Sequence, residues 1–294
     1  MAALERLGIA DAVREQGVLQ QGATFLRPDG STFARVISRE PAYLVPRPTL
    51  HELLYSGALE GKVRWSSAVS DHASLPEADL IVGADGINSR IRQAVSDRTA
   101  SSRPLGTAAF RGVVPGTVDE VTETWGRGRL FGITPHDART TNWFACVRED
   151  LLNERGGDLS EAELLTELFG DWHTGVAQVV NKAISTQIDR RALHDSAPLA
   201  SMVRGRTVVI GDAAHAMAPN AGRGACEALI DAVQLADALR TAATIEDGLR
   251  AFDRSRRRAG QRTVRLSRFL NKMSTARHFG GVRQQMMNAL TRFA

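Results

Sequence analysis

Cysteine is scarce in this 294-residue chain, which carries only Cys146 and Cys226. Two thiols cannot build a disulfide framework or a multi-cysteine zinc site, and they fit a reducing compartment. Long apolar runs are missing too: no stretch approaches the roughly 20 residues that a membrane-spanning helix needs. The opening Met1-Ala2-Ala3-Leu4-Glu5-Arg6-Leu7 lacks the order of basic segment, apolar run and cleavage site of a secretory signal. These absences predict a cytoplasmic protein with no metal and no stable membrane insertion. Charge of one sign is also in short supply, at 37 basic against 33 acidic residues, a net +4. That is a weak electrostatic case for nucleic acid, and none is expected as a partner.

What is present is enough for a globular protein with a sizeable core. The hydrophobic share is 43%, and 26 glycines with 10 prolines exclude collagen-like or wholesale disordered chains. A chain of this length buries about three quarters of its extended surface, in one large or two ordinary domains. The basic excess is local: eight arginines and one acid, Asp253, fall between Arg250 and Arg268. The plain reading is the solvated face of a long helix. A non-enzymatic basic binding module is the other, although no aromatic platform accompanies the run.

Apolar spacing predicts a helix over 2–16, a hairpin of 23–26 and 32–37 about Pro28-Asp29-Gly30, and a helix from Arg47-Pro48 through Leu54. Asp79-Leu80-Ile81-Val82-Gly83 reads as a short buried strand ending at Ala84-Asp85-Gly86. Four extended runs follow, at 107–114, 121–125, 130–134 and 141–147, and predict an antiparallel sheet. Helices are expected at 160–169 and 174–182, and a strand near 186–191. Thr207-Val208-Val209-Ile210 is a second buried strand closed by Gly211-Asp212. Helices then run over 222–240 and 245–270, with a weaker amphipathic piece around Met286, Met287 and Leu290. The two strand/Gly-Asp units bracket the antiparallel block, so the layout is discontinuous. Residues 1–96 and 201–244 form one domain, 97–200 an inserted one, with 20–40 extending its sheet, and 245–294 a C-terminal helical segment.

Two segments carry chemistry. In Ile210 to Gly224, a strand delivers Asp212 to a loop of small residues, and Gly222 and Gly224 open a helix whose free N–H groups favour an anion. A carboxylate beside such a helix start suits a polyhydroxylated, partly anionic ligand. The alternative is that Asp212 caps the strand end and the glycines only set packing. In Asp85-Gly86-Ile87-Asn88-Ser89-Arg90-Ile91-Arg92, Gly86 permits a sharp turn and Ser89 can cap the following helix. Asp85 and Arg92 or Arg90 then either touch a phosphate-sugar portion of the same ligand or simply build the turn.

Both segments resemble the flavin-binding motifs of FAD-dependent aromatic-ring hydroxylases, the class A flavoprotein monooxygenases such as p-hydroxybenzoate and salicylate hydroxylases. The resemblance runs through Gly211 to His215, Pro219, Gly222 to Gly224, Cys226, Asp231 and the Arg-rich helix around Phe252 to Arg258. It implies an α/β fold: an incomplete Rossmann-like FAD-binding domain, an inserted antiparallel-sheet substrate domain and C-terminal helices. It also implies roles. Asp212 would hold the ribityl chain, Asp85 and Gly86 would lie near the ribose and pyrophosphate, and Arg47 would reach the phosphates or ribityl. Pro219 would flank the isoalloxazine, and Gly222, Arg223 and Gly224 would offer N–H groups to its edge. The implied reaction is reduction of FAD by NADH or NADPH, capture of O₂ as a flavin C4a-hydroperoxide, and hydroxylation of a small aromatic substrate. Such chemistry is flavin-centred, so no lone catalytic side chain is expected, and His215 reads as structural. Arg111, Phe131 and Trp143 are weak candidates for the substrate pocket, with core packing as the alternative for the rings and a surface ion pair for Arg111.

The departures from that family are as specific. No Gly-x-Gly-x-x-Gly follows an N-terminal strand, as though roughly 30–45 leading residues of the first βαβ unit were absent. The strand at 79–83 is therefore expected to lie at an open sheet edge. A second reading follows from this: an impaired homologue that binds FAD weakly or is completed by an oligomer or another chain.

Overall fold

The structure is a computed structural model and describes residues 1–58, 61–96 and 102–277. In chain order its elements are α1 (Ala2–Arg6), α2 (Ala10–Gln16), β1 (Val18–Leu26), β2 (Thr32–Leu44), α3 (Arg47–Ala58), β3 (Ile81–Gly83), α4 (Ile91–Val95) and β4 (Ser102–Pro115). Next come β5 (Val121–Trp125), β6 (Arg129–Pro135), β7 (Thr140–Arg148), α5 (Glu149–Arg155), α6 (Glu161–Phe169), α7 (Thr174–Ala183) and β8 (Asp189–Ser196). The chain continues through β9 (Val203–Arg204), β10 (Thr207–Val209), α8 (Asp212–His215), α9 (Gly224–Thr241) and α10 (Ile245–Ser274). The helix expected over 2–16 is two, because Gly8 takes a left-handed φ of 72° between them. The piece around Met286, Met287 and Leu290 lies outside the described residues.

The chain forms two compact units. The first comprises Met1–Ala10, Leu59–Leu105 and His194–Asn271. Its sheet has the order β3-β10-β9, with β3 and β10 parallel and β10 and β9 antiparallel. Helices α4, α8, α9 and α10 supply Ile91, Ala213, Leu235, Leu249 and Phe252 to the core around Val208 and Val209. Among the described residues β3 is an edge strand, as expected, and Val82 is 42% exposed there.

The second unit comprises Asp11–Ala58, Gly106–Leu193 and Lys272–Ala294. It is built on a seven-stranded sheet of order β2-β1-β5-β6-β7-β4-β8. The central hairpins are antiparallel, whereas β1 and β5 are parallel. Alternation along β6 and β7 turns Phe131 and Trp143 to one face, where α6 and α7 cover them with Leu165, Leu168, Phe169, Val176 and Val180. A capping box starts α6: the Ser160 hydroxyl accepts from the Glu163 N–H, and the Glu163 carboxylate accepts from the Ser160 N–H.

These units differ from the expected boundaries at several points, and two of the differences have a plain cause. Helix α10 is no separate C-terminal segment. Leu249 and Phe252 are completely buried against the strands of the first unit, and that contact carries α10 into it. The stretch 11–58 belongs with the larger sheet, because β1 and β2 run over 18–44, longer than the hairpin the apolar runs indicate.

Candidate cofactor site

Strands β3 and β10 lie side by side in parallel, with Val82 opposite Val208 and Gly83 opposite Val209. The pairing extends to Ile210, whose N–H donates to the Gly83 carbonyl at 3.0 Å. Both strands therefore release their loops at the same end of the sheet, the carboxyl end where open parallel sheets bind ligands. The turns carrying Asp85 and Asp212 are neighbours, as the sequence pattern requires.

The Asp85 loop is occupied with its own folding. Gly86 takes a φ of 80°, which allows the chain to reverse. Asp85 Oδ1 accepts from the Ser89 hydroxyl at 2.5 Å, while Oδ2 accepts from the N–H groups of Arg90 at 2.7 Å and Ile91 at 3.3 Å. Ser89 Oγ in turn accepts from the Arg92 N–H at 2.8 Å, which is the expected capping contact. The Asp85 carboxylate thus satisfies the first N–H groups of α4.

Arg92 departs from its expected place at a cofactor phosphate. It is 2% exposed and its guanidinium donates to the carbonyls of Ala213 at 2.9 Å, Ala214 at 2.6 Å and Ala197. Helix α4 turns the side chain inward from a buried face, so it braces the second loop from behind. Burial, with a smaller contribution from Arg103, pushes its pKa down to about 10, leaving it charged at neutral pH.

The second loop is the open one. Gly211 has φ 57° and ψ −139°, and a Cβ there would lie 3.0 Å from the Ala228 Cβ of α9. Only glycine combines that backbone with so close a helix. Asp212 is exposed although Gly211 and Ala213 to Ala216 are all buried, and its carboxylate meets no partner among the described residues. Its Oδ1 lies 3.9 Å from the position a Cβ would take on Gly224, the first residue of α9. Gly222 precedes it in a left-handed conformation with open space around it. No side chain caps α9, an 18-residue helix, so its leading N–H groups and positive dipole end stay available beside the Asp212 carboxylate. Pro219 is exposed at the start of the turn Pro219–Ala221. The Arg223 guanidinium is drawn away to Glu227 at 2.8 Å, leaving its backbone at the loop.

A buried ionic network that sequence reasoning missed holds this loop. Gly211 N–H donates to Asp231 Oδ2 at 2.9 Å, and His215 Nε2 lies 2.7 Å from the same oxygen. Arg256 of α10 donates to Asp231 Oδ1 at 2.6 Å and to Glu227 Oε2 at 2.5 Å. Glu227, Asp231, His215 and Arg256 are all at least nine-tenths buried. Burial alone would raise both carboxyls. The hydrogen bonds and charge of His215 and Arg256 nevertheless hold Asp231 below its usual value, and those of Arg223 and Arg256 do the same for Glu227. The available signal was two acids four apart on a helix otherwise apolar on that face. The Arg-rich run is correspondingly more than a solvated face, since Arg256 is buried, Arg257 pairs with Asp253 and Arg268 with Asp195.

The remaining candidates lie in the second unit. Arg47 is exposed at the first position of α3. Arg111 is committed to Asp189, to which it donates at 2.6 and 2.8 Å, so it forms the surface ion pair rather than a free substrate anchor. Phe131 and Trp143 are core residues and not pocket walls. They are 1% and 0% exposed and stack at 5.5 Å with an interplanar angle of 7°. Alternation along adjacent strands forces them together beneath α6 and α7.

The site in the first unit fits a flavin dinucleotide in its donor set: an unpartnered carboxylate for a sugar-like hydroxyl, and an uncapped helix start bordered by two glycines for an electron-rich ring edge. The comparisons agree. Residues 62–267 match the family described as FAD binding domain. Aurachin C monooxygenase/isomerase of Stigmatella aurantiaca is 31% identical over 277 residues, covering 86% of this chain and 71% of that protein. The 3-amino-4-hydroxybenzoate 2-monooxygenase of Streptomyces cremeus is 32% identical over 265 residues, covering 80% and 66%. Klebsiella pneumoniae HpxO, solved with FAD and uric acid, superposes with a TM-score of 0.81 at 21% identity, over 99% of this chain and 80% of that one. The chain belongs to the FAD-binding-domain family of flavin-dependent monooxygenases and hydroxylases, and FAD is its cofactor.

Proposed function

We propose that this protein hydroxylates a small aromatic substrate, using FAD, NADH or NADPH as reductant, and O₂. The observation that carries the reading is the exposed, unpartnered Asp212 carboxylate beside the uncapped start of α9, on a strand parallel to that of Asp85. A relative named for action on an aminohydroxybenzoate and a neighbour solved with uric acid support an aromatic substrate class. Bound FAD would supply the redox chemistry, taking two electrons from NADH or NADPH so that one atom of O₂ enters the substrate ring and the other leaves as water.

The chain's own residues bind and orient. Asp212 accepts hydrogen bonds from the ribityl hydroxyls. The N–H groups at Arg223 and Gly224 stabilise negative charge at the edge of the flavin ring, while the Gly222 N–H, expected to join them, donates instead to the Pro219 carbonyl at 2.8 Å and shapes the turn. The Asp231 network holds Gly211 and α9 in register so that these donors are preorganised. Arg47 meets the phosphates or the ribityl chain, and Asp85 and Gly86 shape the wall at the ribose.

Titration of the purified protein with FAD, followed by substrate-dependent NAD(P)H oxidation under labelled O₂, tests the reading. Saturable FAD binding with label in the product supports it. Substrate-dependent oxidation of NAD(P)H that releases only peroxide rejects the hydroxylase assignment while leaving the flavin site intact.

A further inference from the structure

The first unit contains a cavity of about 130 Å³ whose lining includes neither Asp212 nor Pro219 to Gly224. Its walls come from the segment after β8 (Ser196, Ala197, Pro198), from α8 (Ala214, His215), from α10 (Gln261, Val264, Arg265, Arg268) and from Arg103 of β4. A cavity of about 150 Å³ accepts a benzene ring, so the space suits a single small organic molecule.

Its polar groups are unbalanced in one direction. His215 is 3% exposed, and while its Nε2 faces Asp231, its Nδ1 has no hydrogen-bond partner. A buried ring nitrogen left unpaired is uncommon, and a bound molecule or a water is the ordinary way to satisfy one. Charge adds a second observation. Among the described residues, no acid lines the cavity. Asp195, just behind it, is shared by Arg103 at 3.0 Å and Arg268 at 2.6 Å. Arg265 meets no carboxylate among the described residues. Arg92, buried behind the wall, donates only to carbonyls, two of them belonging to the lining residues Ala197 and Ala214. Two guanidinium groups therefore share the Asp195 carboxylate, and those of Arg265 and Arg92 have no carboxylate partner among the described residues. The rest of the lining, Ala197, Pro198, Ala214 and Val264, is apolar and suits a hydrocarbon body.

We propose that this cavity binds a small organic carboxylate, whose charge is held by Arg265 and His215 Nδ1–H and whose body packs on Pro198 and Val264. Binding places the His215 imidazole between two carboxylates, the ligand's at Nδ1 and that of Asp231 at Nε2. Because Asp231 also holds the Gly211 N–H, the site is linked to the Asp212 loop through one side chain.

The test uses the FAD-loaded protein, histidine-selective ¹⁵N NMR and calorimetry, with benzoate as the probe and chloride and phosphate as inorganic arms. Benzoate is expected to shift the His215 ring nitrogens saturably. Arg265→Gln should weaken that effect by about fivefold, the loss of one exposed charge-assisted contact. Val264→Trp, which fills the space, should abolish it. If Val264→Trp does not fold, the exposed Arg265 position still decides. A His215 signal unmoved by benzoate in the folded protein, or an unchanged response in Arg265→Gln, overturns the site. Equal shifts with chloride or phosphate overturn the organic carboxylate as its ligand. Benzoate binding elsewhere, as a substrate, leaves His215 unmoved and so counts against this site while leaving the hydroxylase reading in place.

Discussion

Arg256 on α10 donates to Asp231 on α9 at 2.6 Å, in a part of the protein where both side chains are almost completely buried. Asp231 in turn fixes the Gly211 N–H, so one ion pair connects the Arg-rich helix to the turn that presents Asp212. Arg256→Leu would leave Asp231 and Glu227 as buried carboxylates without their main counter-charge. The expected result is a loss of about 3–5 kcal/mol in denaturant unfolding, accompanied by weaker FAD binding. Wild-type stability at low pH reports on the same pair. Both carboxyls sit below their ordinary values of 3.8 and 4.5. Their contribution is therefore complete above those values and is lost as the pH falls through the lower folded ones. Unfolding free energy measured against pH should hold level down to about 4.5 and decline below it, with a shallower decline in Arg256→Leu.

Asp212 and Gly211 are adjacent and should separate function from stability. The Asp212 carboxylate is exposed and supports nothing in the fold, so Asp212→Ala should change unfolding free energy by no more than about 0.5 kcal/mol. Losing a charge-assisted hydrogen bond to the ribityl chain should weaken FAD binding by roughly tenfold to a hundredfold. Gly211→Ala should do the reverse in kind. It forces a Cβ into a glycine-only backbone region and to 3.0 Å from Ala228, and it should cost about 1–3 kcal/mol. Flavin titration and thermal unfolding on both variants give the comparison.

How far these features can be read without coordinates depends on their range in sequence. The two Gly-Asp turns and the glycine-bordered helix start are local patterns, and the parallel pairing of β3 with β10 follows from two short buried strands ending alike. The Arg256–Asp231–His215 network joins three segments, and its one local trace is the pair Glu227 and Asp231 four apart on α9. Arg92 shows the limit differently. Its position on α4 is predictable, but whether a guanidinium there faces a ligand or the carbonyls of Ala213 and Ala214 depends on a loop 121 residues away. Phe131 and Trp143 were ambiguous because alternation says only that they share a face. The helices that cover this face come later in the chain.

Arg92 itself gives a third prediction. Its guanidinium satisfies three backbone carbonyls, on Ala197, Ala213 and Ala214. Arg92→Met keeps much of the volume and orphans those acceptors. Each unsatisfied buried acceptor costs about 1–3 kcal/mol, and water entering the space recovers part of that. A net loss of roughly 3 kcal/mol is expected. Arg92→Lys should rescue only part of it, because one ammonium cannot reproduce the forked geometry across two segments. If Arg92 instead held a cofactor phosphate at the surface, both variants would unfold like the wild type and differ only in FAD affinity.

The two cysteines should differ in reactivity for reasons of position alone. Cys146 is buried on β7, where desolvation, with a smaller push from Glu123, raises its thiol to about 12. At pH 8 it has almost no thiolate, the form that attacks disulfide reagents. Cys226 is exposed in the first turn of α9, two residues beyond Gly224. A disulfide reagent should therefore release one equivalent of thiol from the folded protein and a second only after unfolding. Since Cys226 shares the uncapped helix start with Gly224, saturating FAD should slow the first equivalent severalfold. A first-phase rate insensitive to FAD would move the flavin ring away from the start of α9 and would leave Asp212 as the remaining contact in that loop.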